Sequence, residues 1–197
     1  MRKLKLEIQI SIDGFIADNN GKTDWLECNW ADVSQWDNGL IKYFNEITET
    51  VDCILLSRKM AKEGFIDFWK NLTENSEHPL FELAQKITTA HKVVFTKTIG
   101  KSEWDNTEVA NDELVDEIKK LKNKNGKDII VYGGATFVSS LIKLGLIDEF
   151  HLFINPTALG NGKPIFEVLE NKQSFNLIKT KPFECGIIVL HYEPKRN

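Results

Sequence analysis

The stretch Asp128-Ile129-Ile130-Val131-Tyr132-Gly133-Gly134-Ala135-Thr136 decides the fold. Its short, unbroken apolar run has no alternation, which is what a strand covered on both faces needs. Two glycines then turn the chain. Phe137, Val138, Leu141 and Ile142 recur at three- and four-residue spacing, the buried stripe of a helix that Gly145 stops. A buried strand, a glycine turn and an amphipathic helix together define an α/β unit.

The same unit recurs toward the N-terminus. Cys53-Ile54-Leu55-Leu56 and Lys92-Val93-Val94-Phe95-Thr96 are further buried strands. One helix carries Leu40, Ile41, Phe44 and Ile47 behind an Asp37-Asn38 cap, and a second carries Leu80, Leu83, Ala84 and Ile87 behind Pro79. Glu108-Val109 is a short strand, followed by a helix from Asp112 to Lys122 with an acidic start, a basic end and a Gly126 stop. At the chain start, Leu4, Leu6, Ile8, Ile10 and Ile12 alternate with polar residues, predicting a strand with one apolar face that ends at Asp13-Gly14. Residues 17–24 are dense in turn formers and predict an exposed loop.

Beyond the central unit, Phe150, Leu152 and Ile154 form another strand, and Gly160-Asn161-Gly162-Lys163-Pro164 is a glycine loop before a predicted helix from Ile165 to Leu169. Phe175 to Lys179 and Gly186 to Tyr192 are strands joined by a short connection containing Pro182, so the sheet ends in an antiparallel hairpin. The expectation is one α/β domain: a mixed, mainly parallel sheet of about eight strands flanked by helices.

The charge is −4, which leaves no positive field to attract nucleic acid or an anionic membrane, so a small-molecule partner is expected. Cys28, Cys53 and Cys185 are scattered and contain no CxxC pair, which fits a reducing cytoplasm and neither a disulfide framework nor a zinc site. His78, His91, His151 and His191 have no His or Cys partner at ligand spacing, so structural roles and no metal are expected of them. The charged N-terminus does not read as a signal peptide, and no apolar run reaches the length of a membrane span.

Three strand ends carry ligand chemistry. Gly133 and Gly134 let backbone N–H groups approach a diphosphate, and Ala135 and Thr136 open a helix whose first amides are free donors. The same glycines also suit a tight turn without ligand, and they lack the spacing of a Rossmann fingerprint. Ser57-Arg58-Lys59-Met60 ends a parallel strand with two cations, and Thr96-Lys97-Thr98 ends the next with a hydroxyl and cation cluster. Each alone reads equally as a solvated loop. Ligands of open α/β sheets collect at such strand ends, and their agreement points to a dinucleotide, with the cations suited to an extra 2′-phosphate. Trp25, Trp30 and Trp36 suit either a flat aromatic ligand or core anchoring.

The order of motifs resembles the dihydrofolate-reductase-like superfamily, specifically the group related to the reductase domain of bacterial riboflavin biosynthesis. The resemblance rests on Ser11-Ile12-Asp13-Gly14-Phe15-Ile16-Ala17-Asp18, on Gly133-Gly134, on Leu144 to Glu149, and on Pro156 with Leu159-Gly160-Asn161-Gly162-Lys163-Pro164-Ile165-Phe166. It implies a three-layer dihydrofolate-reductase-like fold and NADPH-dependent hydride transfer to a small heterocycle or sugar of the pterin or riboflavin-precursor class. It further implies that Ile16, Ala17 and Trp25 flank the nicotinamide, that Arg58, Thr96 and Lys97 hold the 2′-phosphate, and that Gly133 to Thr136 hold the diphosphate. Substrate would lie between the Trp25 loop and the Gly160–Gly162 loop, and a homodimer is expected from the same relatives.

Two features depart from the group. Its Gly-Arg-x-Thr turn reads Ser57-Arg58-Lys59-Met60 here, losing a glycine and a hydroxyl donor. No acid aligns with the helix-start proton donor of dihydrofolate reductases; Asp37 lies near that place, and Asp13 is the alternative acid, although Asp before Gly is also an ordinary turn. A non-catalytic module that keeps the fold for ligand sensing or dimer formation is the competing expectation.

Overall fold

The computed structural model describes every residue except 29–32, 34–35 and 196–197. Eight strands form one mixed sheet: β1 (Leu4–Ile10), β2 (Val51–Ser57), β3 (His91–Phe95), β4 (Thr107–Ala110), β5 (Asp128–Val131), β6 (Glu149–Ile154), β7 (Phe175–Pro182) and β8 (Ile188–Pro194). The helices are α1 (Asn38–Glu49), α2 (Arg58–Lys62), α3 (Phe65–Leu72), α4 (Phe81–Thr89), α5 (Leu114–Asn123) and α6 (Ala135–Lys143). The strand order is β4-β3-β2-β5-β1-β6-β8-β7. Pairings β2–β3, β2–β5, β3–β4 and β1–β6 are parallel, whereas β8 runs antiparallel to both β6 and β7. The chain divides into two compact units, Met1–Leu4 with Ile41–Gly134, and Lys5–Leu40 with Ala135–Asn197.

In the first unit the unbroken apolar runs are buried on both faces. Ile54, Leu55, Leu56, Val93, Val94, Ile129, Ile130 and Val131 have no exposed surface. Two helices here went unassigned in the sequence. The five-residue α2 is too short to show a period, and Ser57 caps it by accepting the Met60 amide at 3.2 Å. In α3, Trp69 is buried against Phe65 and Phe68 with edge-on rings at 6.2 and 5.3 Å, and Phe65 reaches Tyr132 beyond β5 at 5.8 Å.

In the second unit α6 buries Val138, Leu141 and Ile142 and stops where Gly145 and Leu146 donate back to the carbonyls of Ile142 and Leu141. The antiparallel ending is as expected, with a turn in which Phe183 donates to the Ile187 carbonyl. Two expectations are corrected. β1 ends at Ile10, and it is buried on both faces, including Lys5 and Glu7, because it is interior to the sheet. The predicted helix over 165–169 is a turn, closed by the Leu169 amide on the Phe166 carbonyl. Pro164 at its start is drawn into a bridge with Phe15, and so short a segment makes too few bonds to nucleate a helix.

Candidate functional site

Parallel register fixes where the cationic strand ends leave the first unit. Ser57 lies beside Phe95 and Leu55 beside Val131, so Arg58, Thr96 and the Tyr132-Gly133-Gly134 turn all depart from the carboxyl ends of adjacent strands. Arg58 is exposed and makes no ion pair among the described residues. Its neighbours are engaged. Lys59 lies 3.6 Å from Glu63, and Lys97 lies 3.0 Å from Glu113 while donating to the Asn111 carbonyl at 3.1 Å. The hydroxyls of Thr96 and Thr98 stand 3.2 Å apart. Gly134 has φ +85°, a left-handed conformation that favours glycine. A Cβ on Gly133 would meet the sulfur and methyl of Met60 at 4.0 Å, so the thioether borders the glycine turn where the group's pattern has a hydroxyl. Ala135 and Thr136 then open α6.

In the second unit the structure zips two predicted loops together. Phe15 bridges Pro164, the Ile16 amide donates to the Lys163 carbonyl at 3.0 Å, and the Lys163 amide donates to the Ala17 carbonyl at 2.8 Å. Ile16 and Ala17 therefore run against the loop carrying Gly160 and Gly162. Gly162 is required by close approach, since a Cβ there would fall 2.3 Å from the Ala17 carbonyl oxygen. Trp25 is half-buried, and its enclosed indole N–H has no hydrogen-bond partner among the described residues. Trp36 is a buried core residue, and Trp30 lies outside the described residues.

Both candidate acids have other employment. The Asp13 carboxylate accepts from the Ser11 hydroxyl at 2.5 Å and from the Leu159 and Gly160 amides at 3.1 and 2.6 Å. The Ser11 hydroxyl foremost, then those amides, holds its pKa down at about 2. These bonds make Asp13 a clamp on the 159–160 loop, and its catalytic role stands as an expectation from the sequence. Asp37 caps α1 by accepting the Leu40 amide at 2.6 Å, with its other oxygen 3.4 Å from the Cys185 amide.

Spacing along the chain hid two further groupings. The Cys28 and Cys185 sulfurs lie 3.7 Å apart as free thiols, and burial foremost pushes the Cys28 thiol upward. His151 and His191 face each other across β6 and β8 with Glu149 beside them, a pairing across strands that ligand spacing along the sequence did not show. Burial foremost lowers the His191 pKa, and burial raises that of Glu7 on neighbouring β1. The only sequence signal was the Glu149-x-His151 alternation, which puts both on one strand face.

Residues 2–189 match the family of the RibD C-terminal domain, and the chain belongs to that family. It is 34% identical to the uncharacterized protein YyaP of Bacillus subtilis (strain 168), covering 97% of this chain and 94% of that one. A Shewanella sp. PV-4 crystal structure, proposed to be of a riboflavin biosynthesis protein, superposes with a TM-score of 0.70 at 26% identity, with each chain fully covered. The bifunctional deaminase and 5-amino-6-(5-phosphoribosylamino)uracil reductase of Thermotoga maritima shares the fold, with a TM-score of 0.68 at 17% identity over 98% of this chain and 57% of that one. The fold is thus that of the dihydrofolate-reductase-like reductases, as the motif order implied. No helix among the described residues is long and apolar enough to cross a membrane.

Proposed function

We propose that the protein is a single-domain NADPH-dependent reductase that delivers a hydride to a small heterocyclic or sugar-like substrate of the pterin or riboflavin-precursor class. The observation that carries this reading is the exposed Arg58, without an ion pair among the described residues, at a strand end beside Thr96 and the Gly133-Gly134 turn, in a chain of the RibD C-terminal domain family. A guanidinium forks onto a phosphate, hydroxyls donate to it, and glycine amides approach a diphosphate closely. The site chemistry fits the phosphate end of NADPH, with Arg58, Thr96 and, once it lets go of Glu113, Lys97 as its holders. Ile16, Ala17 and Trp25 keep the nicotinamide-flanking roles that the family resemblance implies. When bound, the cofactor supplies the hydride from its nicotinamide C4, while the protein orients it and excludes water.

Titrating the protein with NADPH, with tryptophan quenching and thermal stabilisation as readouts, tests the cofactor. No response at millimolar NADPH sinks it. Oxidation of NADPH across a panel of pterins, pyrimidinones and phosphorylated ribityl or ribosyl amines tests turnover. The reading includes a homodimer in the cytoplasm, supported by the exposed Leu177 and Ile178 on edge strand β7; a monomer in sedimentation at micromolar concentration refutes the dimer.

A second reading rests on Met60. A thioether against Gly133 offers a phosphate no hydrogen bond, which favours a module that binds nucleotide weakly and does not turn over. NADPH binding without oxidation across the panel supports it.

A further inference from the structure

Strands β1, β6 and β8 lie side by side, and their registers set Lys5 beside Glu149, Glu7 beside His151, and His151 beside His191. Directly opposed residues share a face, as do residues two apart on one strand, so all five side chains belong to one face. The side chains of Glu149 and His151 are 10% and 6% exposed, and that of His191 is 16%. The two imidazoles stack with centroids 4.2 Å apart and planes 18° apart.

From Glu149 Oε2 the distances are 3.5 Å to His151 Nε2 and 3.7 Å to His191 Nε2, beyond a good hydrogen bond. The three ligand atoms lie within 4.8 Å of one another. Zinc bonded to such atoms at about 2.1 Å in a tetrahedron keeps its ligands roughly 3.4 Å apart. The two separations approximate two edges of a coordination polyhedron, and one imidazole must turn out of the stack for both in-plane lone pairs to reach the same ion. His191 Nε2 is also enclosed, with no hydrogen-bond partner among the described residues.

We propose that Glu149, His151 and His191 form a binding site for a divalent transition metal of the zinc class. Two imidazoles and one carboxylate favour zinc, cobalt or nickel over magnesium or calcium, which take oxygen ligands. Such a set leaves one position for water or an exogenous ligand. Lys5 opposes the metal, since its ammonium lies 3.6 Å from the same Oε2 and balances the carboxylate when no ion is bound. Glu7, the second carboxylate on that face, is available to balance the charge that a metal brings. Lys5 therefore sets the affinity, because a divalent ion must displace the ammonium from Glu149. None of these residues serves the proposed reductase site.

Titration of the full-length protein with Co²⁺ tests the site. One equivalent is expected to bind with the visible absorption of a low-symmetry cobalt centre, and Zn²⁺ is expected to raise the melting temperature and to bleach that absorption. His191→Ala and His151→Ala should abolish the absorption, His91→Ala should leave it unchanged, and Lys5→Met should tighten Co²⁺ binding by roughly tenfold or more. Co²⁺ binding equally to wild type and to a cooperatively unfolding H191A protein overturns the proposal, as does absorption that depends on His91. If H191A fails to fold, the Lys5→Met comparison decides alone, and equal or weaker affinity in that variant refutes the site.

Discussion

Gly162→Ala probes the junction that positions Ile16 and Ala17. The added methyl would lie 2.3 Å from the Ala17 carbonyl oxygen and 2.9 Å from the Phe15 Cβ, inside the 3.0 Å below which Cβ contacts essentially never fall. Backbone rather than a flexible side chain is the obstacle. The two loops must part, straining the Lys163-to-Ala17 and Ile16-to-Lys163 hydrogen bonds of 2.8 and 3.0 Å. Each such bond is worth about 0.5–1.5 kcal/mol, and overpacking adds about 1–3 kcal/mol. The expected destabilisation is roughly 2–6 kcal/mol, and for a chain of this size that lowers the melting temperature by roughly 4–24 °C. Gly160→Ala is the internal comparison. It has open space around it and φ +71°, so it meets only backbone strain of about 1–2 kcal/mol. Thermal unfolding by circular dichroism reads both variants, and NADPH titration of G162A reads whether displacing Ile16 and Ala17 weakens the cofactor. A G162A protein that melts at or above G160A refutes the close-approach reasoning.

Arg58→Ala is expected to weaken NADPH by roughly 10–100-fold, the loss of a charge-assisted contact, while leaving NADH affinity nearly unchanged; an equal loss for both dinucleotides in calorimetry rules out the 2′-phosphate role. Burial foremost lowers the buried Lys92 from 10.5 to about 8, so between those pH values the unfolded chain holds a proton that the folded one has released, and stability rises with pH. That rise is roughly 3 kcal/mol and should be missing from Lys92→Met in denaturant unfolding at pH 7 to 11, so parallel profiles contradict it. For Asp13 the sign is opposite. Its folded pKa is depressed to about 2, so the clamp is fully present above pH 4 and lost as pH falls toward 2. Asp13→Asn should be less stable than wild type at neutral pH, with the gap closing in acid; a gap constant from pH 7 to 2.5 speaks against an ionised clamp.

The parallel half of the fold was legible because buried parallel strands have a signature of their own. Cys53 to Leu56, Val93 to Phe95 and Ile129 to Val131 are apolar on both faces, and each follows an amphipathic helix. Lys5 and Glu7 misled for the converse reason: alternation implies one wet face, but an interior strand has none, and its polar residues are buried in a cluster supplied by β6 and β8. Short α2 left no period to read, and the turn at 165–169 had a helical composition without the length to nucleate. The candidate loops were legible as loops. Their mutual pairing was not, since the bonds from residues 15–17 to 162–164 depend on tertiary placement.

Sequence distance also explains why the chemistry of the histidines and cysteines escaped notice. Cys28 and Cys185 meet from opposite ends of the chain, whereas the stacked His151 and His191 come from β6 and β8, strands separated in sequence by β7. Glycines behave differently, because their requirement is local but its cause is not. Gly134 needs its left-handed φ for the turn itself, whereas Gly162 needs only the absence of a side chain, so that the Ala17 carbonyl fits against it. Gly133 belongs to a third case, bordered by Met60 at a strand end where a phosphate would need a donor. Exchanging Met60 for Thr restores the hydroxyl of the family turn without touching the glycines. A gain in NADPH affinity in that variant would place the departure from the pattern at residue 60, and no gain would leave Arg58 and the backbone amides as the sufficient phosphate contacts.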